Sequence, residues 1–492
     1  MSGNKTIKIT KSDILALSNY EGFKGFFKKL NYKVEEELEI LPEYLGLSDK
    51  LSEYINKIYI LANHDSIFLI YFFELKKLDI SVIRGIWNSI SKTAGKYLLI
   101  FTADYKEIIF SNYKTIGTKK ELRKLVLNRE NPYHTDLQVL NDLYIEDQDI
   151  NPLEIYEQHC NAFDIEKVTE KFFKEYRAVF EYTKAKIKKD NQYLKEFEKE
   201  EYLHKFVQVL LGRIMFLYFI QKKGWLNGDK KFLKNQFDLA VKNNLNYYDA
   251  FLEKMFFEIL NRPRVDCHSE FGSIPFLNGG LFEKDYDFKV NISNQVFNNK
   301  ENGIFTVFDK YNFIVREDTP LETEVAIDPE MLGKVFENML AEEERGKKGT
   351  FYTPRQIVHY MCKESLKEYM HNESGMDRDK ILDLIEKGDK SKLTRKEINK
   401  LETLLKDIKI LDPAVGSGAF LLGMLQEIRN LTKLLNPNME DTILKKAIIQ
   451  NNLYGIDIAS EAIEIAKLRL WLSLIVDLEV EITKVEPLPN LD

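Results

Sequence analysis

The chain has 492 residues, 44% of them hydrophobic and 30% charged, with a net charge of −7. That composition supports a sizeable core and roughly three domains at about 150 residues each, and it excludes long disorder. No global basic character is present, so contact with a polyanion would need local patches. Three cysteines, Cys160, Cys267 and Cys362, stand far apart with no CxxC pair, which argues against a zinc ribbon or a disulfide framework. The start, MSGNKTIKIT, is not a secretory signal. The longest apolar runs, Ile67 to Phe73 and Ile214 to Ile220, fall short of a membrane span. We therefore expect a cytoplasmic protein with no membrane association.

Up to about residue 150 the pattern mixes strands and helices. Lys57 to Ala62 and Ser66 to Lys76 read as two strands around the turn Asn63-His64-Asp65, and Tyr97 to Thr102 with Glu107 to Ser111 as a second pair. From 151 to 327 the pattern is mainly helical, with apolar residues at helical spacing through Phe206, Leu210, Ile214 and Leu217. The last region, 328 to 492, alternates helix and strand as α/β folds do. Within it, the charged stretch from Met376 to Lys409 mixes both signs and reads as two solvated helices.

The segment IKILDPAVGSGAFLL, Ile408 to Leu422, carries the strongest local signal. Ile408, Ile410 and Leu411 make a short strand that Asp412 and Pro413 end, because proline cannot donate to a sheet ladder. Gly416, Ser417 and Gly418 then make a tight turn into a helix, which places the loop at the carboxyl end of a parallel sheet. No Gly-Lys-Ser/Thr follows, as a phosphate loop requires. Leu421 stands where a dinucleotide fingerprint needs glycine or alanine. A ligand without pyrophosphate fits better, and S-adenosylmethionine offers an ammonium and a ribose diol to two carboxylates. Asp412 suits the first. Asp457, at the end of a second strand from Leu453 to Ile456, suits the second. Each aspartate alone is an ordinary strand end; it is their order that carries the signal.

Here the sequence resembles a known family. DPAVGSGAF (412 to 420) is similar to motif I of the adenine-N6 DNA methyltransferases, and GTFYTP (349 to 354), lying upstream, to motif X. YGIDIASEAIEIAKLRLWLSL resembles their next two motifs. RIMFLYFIQKKGWL (213 to 226), IPFLNGGLFE (274 to 283) and IDPEMLGKVFENML (327 to 340) look like segments of type IIG restriction-modification methylases. The order of motif X before motif I is that of the gamma class. The resemblance implies an α/β fold, with a Rossmann-like methyltransferase domain at 328 to 492 that is incomplete. A mainly helical connector at 151 to 327 and an α/β region at 1 to 150 precede it. It also implies S-adenosylmethionine as cofactor and double-stranded DNA as partner. Tyr352, Thr353 and Pro354 would hold the methionine part; Asp412, Pro413, Ala414, Gly416, Gly418 and Phe420 would wrap the cofactor; Asp457 and Ile458 would hold its nucleoside.

Family members act through Asn/Asp-Pro-Pro-Tyr/Phe, whose polar groups hold the amine of a flipped adenine. No adjacent prolines occur in this chain, so no methyl-transfer residue is assigned. The expectation is the front portion of an enzyme, with the motif and the target-recognition region supplied by a longer chain or a downstream partner, or lost to a premature stop. A catalytically incomplete cofactor-binding subunit is the competing class. A third is a nuclease whose cleavage depends on S-adenosylmethionine: many relatives fuse a PD-(D/E)xK domain in front, which needs an acid on one strand and Glu-x-Lys on the next. Glu74 and Lys76 match the second part and Asp65 is the nearest upstream acid, although it falls in a turn. Mg2+ enters only if that nuclease is active.

Overall fold

The computed structural model describes residues 8–93, 95–116, 119–264, 266–277, 280–314, 322–327, 333, 353–477, 485–489 and 491. They form two compact units. One comprises the described residues of Met1–Phe172, Asp309–Asn312 and Asp318–Ala326; the other those of Phe173–Phe308, Phe313–Glu317 and Ile327–Asp492.

The first unit is built on one sheet. Its principal elements in chain order are α1 (Tyr20–Lys29), β1 (Val34–Glu39), β2 (Ile55–His64), β3 (Phe68–Leu75), α2 (Ile80–Ile90), β4 (Lys96–Thr102), β5 (Glu107–Ile116), β6 (Lys119–Asn128), α3 (Pro152–Ala162) and β7 (Glu322–Glu324). The seven strands lie in sequence order. β3 pairs parallel to β4, and β6 to β7; all other pairs are antiparallel. Both hairpins expected from the sequence are present. β3 (FLIYFFEL) is apolar at nearly every position because both of its faces are covered. Phe68, Ile70 and Phe72 join a core with Phe23 and Phe27 of α1, while Leu69, Tyr71 and Phe73 join another with Ile83, Ile86 and Trp87 of α2. Strand alternation thus divides one run between two cores.

In the second unit α4 (Glu200–Lys222) is buried almost all round from Leu210 to Gln221. By length and composition it could cross a membrane, which corrects the expectation that every apolar run is too short; 78% of the qualifying window is buried within the fold. Arg213 lies in this apolar stretch. Its Nε and Nη2 donate to the carbonyls of Leu281 and Glu283, each at 2.6 Å, so two of the family-like segments meet at one guanidinium. Burial pulls its pKa down.

Further along come α5 (Arg355–Ser374), α6 (Arg378–Lys387), α7 (Arg395–Asp407), β8 (Ile410–Asp412), α8 (Ala419–Leu435), α9 (Asp441–Asn451), β9 (Leu453–Gly455) and α10 (Ser460–Asp477). The charged stretch is indeed a helix pair, α6 and α7. Thr394 and Glu397 form a reciprocal cap at the start of α7. β8 and β9 are parallel, with Ile410 opposite Leu453 and Asp412 opposite Gly455.

Candidate cofactor site

Parallel pairing brings the carboxyl ends of β8 and β9 side by side, and with them the loops that follow. Two inter-loop bonds continue the ladder: Val415 N donates to Ile456 O and Ile456 N to Asp412 O, both at 2.9 Å. Gly416 and Gly418 have φ of 51° and 84°, a region that costs any other L-residue strain. A Cβ on Gly418 would also stand 3.0 Å from that of Ala466 on α10. The sequence GSG is thus fixed by backbone shape and by close approach of a helix.

The two aspartates expected at the strand ends come together here, in different states. Asp457 is engaged by backbone: Oδ2 accepts from Gly416 N at 2.9 Å and Oδ1 from Ala459 N at 2.8 Å. It closes the glycine loop, and each oxygen keeps a lone pair for a diol. Asp412 accepts from Ala414 N at 3.1 Å through Oδ1. Its Oδ2 is buried and has no hydrogen-bond partner among the described residues. A buried acceptor without a donor costs free energy unless a ligand supplies one. Beside it the surface is apolar and open: Ile458 is 88% exposed and Ile456 and Leu411 are 58% each. Pro413 and Ala414 are exposed, Gly416 and Phe420 half-buried, and Gly418 buried.

Of the upstream motif, Tyr352 lies outside the described residues. Thr353 is half-buried and Pro354 exposed, immediately before α5. The first half of α5 packs tightly on that of α8: a Cβ on Gly423 would meet Val358 Cγ1 at 2.7 Å and Cys362 Sγ at 3.0 Å. His359 Nδ1 pairs with buried Glu427 Oε1 at 2.6 Å across the same helices. Burial, with Glu427 and Asp412 adding to it, pushes the Cys362 thiol up to about 12, which removes it as a nucleophile. Sequence reading missed His359, Glu427 and Arg469, and placed Ser417 in the turn without a partner for it. Arg469, on α10, is buried and donates through Nη1 to Ser417 O at 2.7 Å and Ser417 Oγ at 2.9 Å.

The three nuclease candidates are not gathered. Asp65 and Ser66 form the β2–β3 turn, each with φ of 55°, at the opposite end of β3 from Glu74. Six residue steps along the strand separate Phe68 from Glu74, roughly 20 Å at the usual rise. Opposite Glu74 on β2 stands Lys57, where the motif would place an acid, and β2 (INKIYILANH) contains none. Glu74 accepts instead from the Tyr105 hydroxyl. The Lys76 side chain is exposed, while its amide donates to Tyr54 O at 2.9 Å. Among the described residues no group of three His, Cys, Asp or Glu could hold a metal ion.

Comparison with known proteins bears on the same region. Residues 386–486 match the family described as MmeI, DNA-methyltransferase domain. Over 380 residues the chain is 35% identical to a Methanocaldococcus jannaschii protein named as a type II restriction enzyme and methyltransferase, covering 66% of this chain and 31% of that one. It is 24% identical over 278 residues to DNA methyltransferase A of Bacillus subtilis, covering 54% and 27%. The chain therefore spans about a third or less of the length of these curated relatives. A solved structure of the type IIL restriction-modification enzyme MmeI in complex with DNA aligns with a TM-score of 0.41 at 16% identity, over 61% of this chain and 36% of that one. The family match falls on β8, β9 and the two loops that follow them, so residues 386–486 are similar to a DNA-methyltransferase domain of the MmeI type.

Proposed function

We propose that residues 328 to 492 form the cofactor-binding part of an enzyme that transfers a methyl group from S-adenosylmethionine to adenine N6 in double-stranded DNA. The setting would be a cytoplasmic restriction-modification or defence system. The observation that carries this reading is the buried, unpartnered Asp412 Oδ2 beside a glycine loop that Asp457 closes. The ammonium of S-adenosylmethionine is a donor of the right charge for Asp412. Asp457 has acceptor capacity left for a ribose diol, and exposed Ile458 offers an apolar face to an adenine ring. Thr353 and Pro354, just before α5, would meet the methionine part, exposed Pro413 and Ala414 would border the cofactor, and Phe420 lies in the first turn of α8. The bound cofactor supplies an electrophilic methyl group; these residues bind and orient it. The aromatic loop that would hold a flipped adenine is expected from a further segment or a partner chain.

Isothermal titration with S-adenosylmethionine tests the reading. The native chain should bind, and Asp412→Asn should weaken binding about tenfold or more, as loss of a charged hydrogen bond does. No heat from the native chain would remove the proposal. Adenine specificity is checked by incubating DNA and labelled cofactor with this chain plus its genomic downstream partner; label in N6-methyladenine is expected, and label in methylcytosine would redirect the assignment.

A further inference from the structure

Gly333, of the IDPEMLGKVFENML segment, and Ser417, of the glycine loop, both meet the side chain of Arg469 on α10. Arg469 is 3% exposed. Its Nη1 bonds both the carbonyl and the hydroxyl of Ser417, the residue between the two left-handed glycines. Gly333 also lies against the guanidinium: a Cβ there would fall 2.4 Å from Nη1 and 2.6 Å from Cζ. Only glycine leaves the guanidinium where it is.

We infer that Arg469 is a positioning residue for the cofactor loop, and that Gly333 holds the space in which its guanidinium grips Ser417. The physical argument is local. The Ser417–Gly418 peptide is held at both ends, its carbonyl by Arg469 and its amide by Val415 O at 2.8 Å. Fixing that peptide orders a turn whose two glycines would otherwise sample many conformations. The amide of Gly416 then stays on Asp457, and the cradle is formed before any ligand arrives. A charge-assisted donor at a buried carbonyl is the strong form of such a bond. The same contact ties the loop to α10, which starts just after Asp457, so the two halves of the site move as one piece.

This inference rests on the S-adenosylmethionine reading for its functional consequence but not for its structural content, so two measurements separate them. The first is the dissociation constant for S-adenosylmethionine in the full chain. Arg469→Met should weaken binding about tenfold or more, Arg469→Lys should restore part of it, and Ser417→Ala, which keeps the carbonyl contact, should change it less than Arg469→Met does. Gly333→Ala should reproduce the loss by displacing the guanidinium. The second is amide hydrogen exchange without ligand: residues 416–418 should exchange faster in Arg469→Met and Gly333→Ala, while α8 and α9 stay as in the native chain. If the native chain binds no S-adenosylmethionine, the cofactor reading fails and exchange alone decides the positioning role. Native exchange in the loop of Arg469→Met, or native affinity in a chain that does bind, overturns the inference. Should Arg469→Met fail to fold, Gly333→Ala, which keeps every charge, decides between these outcomes by the same two measurements.

Discussion

Gly418 and Gly212 show how the same residue type can mean opposite things. At Gly418 the backbone is left-handed and Ala466 leaves no room for a side chain. Gly418→Ala should therefore cost about 1–2 kcal/mol from conformation alone, with loss of cofactor affinity on top. Gly212 lies inside α4, where a Cβ would find its nearest neighbour, Leu468 Cδ2, at 4.0 Å. Nothing there requires glycine, and Gly212→Ala should stabilise the chain by roughly 0.5–1 kcal/mol through helix propensity. Urea denaturation of both variants checks the pair; a destabilised Gly212→Ala would mean that the space in front of it is not free. The sequence made Gly418 legible because GSG follows a strand and Asp-Pro. It could not show that Ala466 would be the wall, because that wall lies 48 residues away along the chain.

At the scale of elements, the site depends on how closely helices approach. α5, which directly follows Thr353 and Pro354, lies on α8, and Gly423 permits that approach. Gly423→Ala should push Val358 and Cys362 away, destabilising the unit by about 1–3 kcal/mol, as overpacking does. It should also weaken S-adenosylmethionine binding without altering the loop's own sequence. Calorimetry of folding and of binding tests both parts; unchanged affinity with lowered stability would confine α5 to a scaffold role. α4 gives the complementary lesson. Its apolar spacing was plain, and its helix formed as expected, but periodicity alone did not disclose a helix wrapped on nearly every side. Burial of Arg213 within it is possible because carbonyls from a distant segment satisfy the guanidinium.

For the molecule as a whole, the two compact units need not share one stability profile. The sheet unit buries His159, whose Nε2 meets the Tyr32 hydroxyl at 2.6 Å and whose Nδ1 has no partner among the described residues. Burial lowers its pKa from 6.5 to about 3, and nearby His64 is shifted the same way. A histidine held neutral in the fold gives stability that is complete above the unfolded value and is lost as the pH falls from about 6.5 towards 3. His159 alone should remove about 2 kcal/mol by pH 5. Acid titration followed by near-ultraviolet dichroism should show a transition in this range. His159→Phe, packed beside Phe68, should flatten it by about one proton of slope; an unaltered slope would assign the transition elsewhere.

What the sequence determined by itself was local and ordered along the chain: two hairpins, two charged helices, and a strand–glycine–helix loop with an aspartate at each strand end. Those features follow from alternation, capping and the conformational freedom of glycine, which act over a few residues. The tertiary structure decided which of them meet. It set Lys57 rather than an acid opposite Glu74, and it left Asp65 at the far end of β3. It left Asp412 with an unanswered oxygen and turned Asp457 onto the loop. It brought Arg469, 52 residues beyond Ser417, onto the Ser417 carbonyl. Strand register, helix approach and burial fix these pairings, and none of the three has a signature within the span of a single motif.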